Sequence, residues 1–280
     1  MPEDFNFIKF LWNIFIKKEA RKPVFQDVSY FAKNLLPQRN DHREFILLKK
    51  ELFEKVSDPV LLVQRIAKAI LDWLKIKSLV IHVAFNRTLP QAGIVELTKN
   101  HDIFVEIREE YKLSPSILAA ILAHEVMHVY LNNHSIRLAD TLENERLTDI
   151  AVFYFGLGVL YVNGIIKKSR QHDSLGNESI VQTKLGYLED EEIAFLFAKL
   201  ARWKDYSTEL LNDHLNSTGR RYYEDGVQLL SNYADVEYSD EKGTAICDCC
   251  LMRLRFPANR GKIKLTCPTC SYQFIIGPKT

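Results

Sequence analysis

Between Ile117 and Leu131 every residue is apolar except His124, Glu125 and His128. A helix over residues 114 to 131 is therefore apolar on all sides and has to be buried. Ser114 as N-cap, Pro115 at the first helical position and Leu113 stapled against Leu118 specify its start independently of those three polar residues. Ionisable groups without partners are costly inside a core, so something has to compensate all three together. His124 and His128, at i and i+4, lie one above the other on one face, and their imidazoles can converge on one metal ion. Glu125 is offset by about 100° and is poorly aimed as a ligand, but it can reach a water on that ion as a general base.

The rest of the chain is ordinary globular material. It has 280 residues, 47% hydrophobic and 26% charged, with a formal net charge of +1. That balance excludes neither enzyme nor binding protein, and it gives no global reason to expect a polyanionic partner. The opening MPEDF carries acids where a secretory leader carries bases, and no apolar run reaches the roughly 18 residues of a membrane span. Five cysteines, an odd number gathered near the C-terminus, argue against a disulfide framework and for a reducing cytoplasm.

Residues 5 to 16, FNFIKFLWNIFI, are apolar and aromatic, with Lys17, Lys18, Arg21 and Lys22 behind them. The favoured reading is a helix packed on the protein body or on a second subunit, since the polar face of a membrane-surface helix is poorly developed. From Asp41 to Lys75 apolar residues recur at helical intervals, with a helix start at Asp58 and Pro59. The period then becomes two, through Leu79, Ile81, Val83 and Phe85 and again through Ile94 to Leu97 and Ile103 to Ile107. This predicts a small sheet containing a hairpin, with His82 a structural strand residue. Residues 162 to 184 are polar and read as a loop bordering a cleft. Helices are expected over Asp190 to Trp203, Ser207 to Leu215 and about Ser217 to Tyr233.

A catalytic metal needs a third protein ligand and an open position. Residues Thr141 to Gly158, TLENERLTDIAVFYFGLG, read as one helix joined to the first by a short loop, so the two pack antiparallel. Glu145 and Asp149 share a face of it at i and i+4, and one can ligate while the other supports. With His124-Glu125-Val126-Met127-His128 followed by Asn144-Glu145-Arg146-Leu147-Thr148-Asp149, the chain resembles the gluzincin zinc metallopeptidases, the minigluzincins among them. The resemblance covers about residues 78 to 158. It implies a zincin-like fold, Glu145 as the third zinc ligand and Asp149 as the carboxylate that orients a ligand histidine. Glu143 is the competing ligand but points about 200° away from Glu145. The family's downstream tyrosine and histidine for the oxyanion have no matching motif; Tyr154, Tyr161, Tyr187, His172 and His214 are candidates by residue type alone.

At the C-terminus, Cys247-x2-Cys250 and Cys267-x2-Cys270 lie 16 residues apart, the spacing of a four-thiolate structural zinc site, with Cys249 the spare thiol. The strands expected between and after them, Met252 to Phe256, Ile263 to Thr266 and Tyr272 to Ile276, make this resemble a zinc ribbon. Residues 244 to 280 carry six Lys or Arg against one acid, Asp248. They offer either a docking surface for protein or nucleic acid or a merely solvated face.

The expectation is thus an α+β protein. It has an N-terminal helical region (1–76), a mainly helical zincin-like core with a small sheet and a helical extension (77–240), and a β zinc ribbon (244–280). Two zinc ions are expected, one catalytic and one structural. The function expected is hydrolysis of peptide or protein substrates, with Glu125 as base. The alternative is a catalytically silent zinc-fold protein that binds or senses a protein or nucleic acid through the ribbon. Oligomeric state stays open.

Overall fold

The structure is a computed structural model that describes residues 46, 56–77, 79–97, 102–172, 178–203, 206–232, 236–238, 242–247, 252–257, 261–268 and 271–276. The apolar segment 5–16 and residues 41–45 and 47–55 of the first helical pattern lie outside these, as do Cys249, Cys250 and Cys270. The architecture is α+β. The chain divides into two compact units, Asp41–Tyr233 and a second that takes in Ala234–Thr280.

In the first unit, helix α1 (Pro59–Trp73) starts where Asp58 accepts hydrogen bonds from the backbone of Val60 and Leu61. It buries the stripe Leu62, Val63, Ile66, Ala67, Ile70 and Leu71. Each such side chain withdrawn from water contributes about 1.5–3 kcal/mol. Three strands follow, β1 (Val80–Asn86), β2 (Gly93–Glu96) and β3 (Asp102–Arg108), in the order β1-β3-β2. β2 and β3 form the expected antiparallel hairpin, and β1 runs parallel to β3. Alternation turns Ile81, Val83, Ile103, Val105 and Ile107 inward, where the sheet meets α1 and helix α2 (Pro115–Asn133). His82 sits on the outer face, paired with Asp102 across the strands at 3.0 Å.

Helix α2 is buried from Ile117 through Ala123 and again through Val126, Met127 and Val129 to Leu131. Its start differs from the expectation. Leu113 is 85% exposed and staples nothing, and Ser114 makes no side-chain cap. A 3₁₀ turn over Glu109–Tyr111 closes through the Ser114 N–H to the Tyr111 carbonyl and packs on α2, so buried Tyr111 takes the place meant for Leu113.

The second helix of the motif is also shorter than expected. Helix α3 (Thr141–Tyr154), capped by Asp140, stops at Phe155, and a short helix α4 (Gly158–Gly164) follows at 117°. The broken turn is held from outside: Trp73 Nε1 donates to the Phe155 carbonyl (2.8 Å) and the Ile46 N–H to that of Gly156 (2.9 Å). No single described helix is long and apolar enough to cross a membrane; α3 and α4 have the length and composition only taken together, across that bend.

Residues 162–184 are not a loop. The end of α4 leads into an antiparallel ribbon, β4 (Ile166–His172) and β5 (Glu178–Lys184). Beyond it, α5 (Asp190–Trp203), α6 (Thr208–His214) and α7 (Ser217–Asn232) follow, with α7 packed along α5 and α5 touching α3. Arg146 of α3 grips Glu192 of α5 through two hydrogen bonds, at 2.9 and 3.1 Å.

In the second unit, strands β6 (Val236–Tyr238), β7 (Lys242–Ile246) and β8 (Arg253–Pro257) form one antiparallel sheet, and β9 (Ile263–Thr266) with β10 (Gln273–Ile276) another. Ala245, Phe256 and Ile276 form its core with Ile263, Leu265 and Phe274. Cys247 and Cys267 are buried at matching turns: the Cys247 N–H donates to the Met252 carbonyl (2.9 Å), and the Cys267 N–H to that of Tyr272 (2.8 Å).

Candidate metal centre

Helices α2 and α3 pack together and bring three donor atoms to one point. His124 Nε2, His128 Nε2 and Glu145 Oε2 form a triangle 3.0 Å on every side. The imidazoles converge because they are one helical turn apart on α2, with ring centroids 4.6 Å apart. Glu145 reaches them from the first turns of α3. Among the described residues this is the group of histidines and acids able to hold a metal ion.

The hydrogen-bond network around the triangle fixes what its atoms can do. Nδ1 of His124 is 2.8 Å from Asp149 Oδ1. A buried carboxylate accepts there, so Nδ1 carries the proton and the Nε2 lone pair faces the triangle. Nδ1 of His128 is 3.2 Å from Thr148 Oγ1, whose own proton is donated to the Asn144 carbonyl (2.9 Å). Thr148 is thereby an acceptor, and His128 too is held with Nδ1 protonated. With both Nε2 atoms unprotonated, three lone-pair donors face one another across 3.0 Å; without an ion, Nε2 protons bridge the histidines to Glu145. The lone-pair set is stabilised by a cation at its centre. The three atoms could hold a metal ion.

Without an ion, the site's protons are displaced from their ordinary ranges. Burial opposes a charged His124, but Asp149, with Glu145 and Glu125, outweighs it and holds the imidazole well above the usual histidine range. Burial likewise opposes the charge on Glu145, yet the hydrogen bonds from both histidines pull it down to about 2. Glu125 stands outside the triangle and is buried. Desolvation, only partly offset by the histidines, raises its carboxyl. Its Oε1 faces β2: a Cβ on Gly93 would meet it at 2.9 Å and Ile121 Cγ2 at 2.5 Å.

Of the residues considered for the oxyanion whose side chains are described, one stacks on a histidine of the metal centre. Tyr187, in the turn after β5, stacks on His124 with ring centroids 5.9 Å apart, is 45% exposed, and donates its backbone N–H to Asp149 Oδ2 (2.6 Å). Tyr161 is buried behind Asp149. Tyr154 is buried against Phe155, and His214 lies at the end of α6 with its carbonyl accepting from Asn163. His172 is on β4. Glu143 is exposed in the first turn of α3, outside the triangle. Sequence reasoning assigned no task to Thr148 or Gly93, although Thr148 stood inside the quoted motif. The chain matches no family model, no curated protein and no solved structure.

Proposed function

We propose that this chain is a zinc-dependent peptidase of gluzincin type, with His124, His128 and Glu145 as metal ligands and Glu125 as general base. The carrying observation is the triangle itself, three potential ligand atoms held in register by Asp149 and Thr148 at mutual distances of 3.0 Å. A zinc ion there supplies Lewis acidity, lowering the pKa of a water towards about 7 and polarising a carbonyl. Glu125 accepts the proton of the attacking water and delivers it to the leaving amine. Its raised carboxyl pKa suits both transfers better than that of an exposed glutamate. Tyr187, stacked on His124, is the candidate to donate its phenol to a carbonyl oxygen gaining charge. Beside Glu125, β2 is an edge strand among the described residues, and an extended peptide can pair with such an edge. The test is digestion of a proteome-derived peptide library by zinc-loaded protein, read by mass spectrometry, against Glu125→Gln. Equal products from both proteins would remove the peptidase reading.

The second zinc of the proposal is structural and rests on Cys247, Cys250, Cys267 and Cys270, supported by the two matching turns. Thiolate ligands of this kind suit a reducing compartment such as the cytoplasm. A second functional reading, a silent zinc-fold protein that docks a protein or nucleic acid, is favoured by the exposed Arg255, Lys262 and Lys264 of the C-terminal unit. Uptake of zinc without turnover in the library digest would favour it.

A further inference from the structure

Asp149 is fully buried, and so is the hydroxyl of Tyr161 beside it. The carboxylate spends Oδ1 on His124 (2.8 Å) and receives the Tyr187 N–H on Oδ2 (2.6 Å). The Tyr161 hydroxyl has no hydrogen-bond partner among the described residues, although the ring around it is apolar and packs edge-on against Phe153 at 5.1 Å. A phenylalanine would fill that space without leaving a polar atom unsatisfied, so the oxygen needs its own account. The turn after β5 makes room for it. Gly186 has φ +88°, and a Cβ there would stand 2.1 Å from the Tyr161 hydroxyl and 3.1 Å from Asp149 Oδ2. Gly186 therefore covers the hydroxyl and the carboxylate together, and a third donor to Asp149 is enclosed where it can reach Oδ2.

We propose that Tyr161 is a positioning residue of the metal centre: its hydroxyl donates to Oδ2 of Asp149 when an ion is bound, and with the Tyr187 N–H it clamps the carboxylate that orients His124. This rests on the metal reading given above. An ion on Nε2 would take the place of the proton that the metal-free His124 holds there and would keep the Nδ1 proton directed at Asp149 Oδ1, leaving Oδ2 to be held by donors on the far side. Tyr161 touches neither ion nor substrate, and it acts through Asp149 alone. Gly186 belongs to the same device, because any side chain there would push the phenol off the carboxylate.

The test is competitive zinc titration of the full chain against a chromophoric chelator, with thermal unfolding of the metal-free proteins beside it. Tyr161→Phe is expected to weaken the exchangeable zinc site about three- to tenfold, less than the 10- to 100-fold typical of a direct partner of a ligand. Its metal-free melting temperature should stay equal or rise, since an unsatisfied buried hydroxyl is removed. Gly186→Ala should also weaken zinc, and by a smaller factor in the Tyr161→Phe background, where the oxygen its methyl would meet is gone. Equal zinc affinity for the wild-type chain and Tyr161→Phe overturns the proposal and leaves the metal reading standing. A wild-type chain that takes up no exchangeable zinc overturns both.

Discussion

The hydroxyl of Thr148 stands 3.2 Å from Nδ1 of His128 and orients that imidazole as Asp149, at 2.8 Å and with its charge, more strongly orients His124. Because Thr148 donates to the Asn144 carbonyl, it can only accept from the histidine. Thr148→Val keeps the volume and removes the acceptor. It should weaken zinc about tenfold, at the low end for a partner of a metal-ligating histidine, while Thr148→Ser stays near wild type. Competitive titration of the two variants decides it, and equal loss in both would mean that packing, not the hydroxyl, matters.

Asp149 and Glu145 lie one turn apart and should fail differently. Glu145→Ala removes a ligand and should empty the exchangeable site, whereas Asp149→Ala should lower affinity about 10- to 100-fold with the site still fillable. Glu143→Ala, on an exposed residue outside the triangle, should change neither. Loss of zinc from the Glu143 variant alone would overturn the ligand assignment.

Glu125→Gln separates chemistry from metal uptake. The amide keeps the shape beside Gly93 and cannot carry the proton, so zinc stoichiometry should be unchanged and turnover should fall by about 10²- to 10⁴-fold or to background. Single-turnover cleavage of whatever peptide the library yields, measured with metal content in the same samples, is the check.

Acid and base should act in opposite directions on the metal-free and zinc-loaded protein. In the metal-free chain the raised His124 contributes stability in full below the unfolded value of about 6.5 and loses it as pH rises through its higher folded value. Glu145, depressed to about 2, contributes above its unfolded value of about 4.3 and loses it as pH falls towards 2. The metal-free melting temperature should therefore be higher near pH 6 than near pH 9. With zinc the ion replaces the His124 proton, and affinity should fall about tenfold per pH unit of acidification for each proton displaced. Melting curves with and without zinc across pH 5–9 give both slopes.

Mild chelation should distinguish two zinc ions. The site of two histidines and a glutamate has an open position and should empty first. The thiolate site should persist, and its loss should unfold the C-terminal sheets around Ala245, Phe256 and Ile276. Metal analysis along a chelator series is the measurement; a single zinc lost only with unfolding would argue against the catalytic site.

What the sequence disclosed and what it hid follow from how local each signal is. The triangle was legible because two of its corners are one helical turn apart and the third lies on the next helix, joined by a short loop. The end of α3 was legible too, in the closely spaced Gly156 and Gly158, but an apolar run through them carried the expected helix too far. The β4–β5 ribbon, IKKSRQH against ESIVQTK, lacks sustained apolar alternation, and a two-sided polar ribbon gives the period-two signal nothing to work on. Tyr187 reaches His124 only because that ribbon folds back, its foot closed by the Leu185 N–H on the Ile165 carbonyl at 2.7 Å. A return of 63 positions along the chain leaves no trace in any window of sequence.

Gly93 lies against Glu125 but has no part in the triangle. On the peptidase reading the proposed base is backed by a strand edge, although Glu125 itself lies on α2 between His124 and His128. One methyl group at position 93 would meet Ile121 Cγ2 at 2.5 Å and the Glu125 carboxylate at 2.9 Å. A chain with a larger residue at position 93 would carry the same HEVMH signature, and the signature alone would not report the crowded carboxylate.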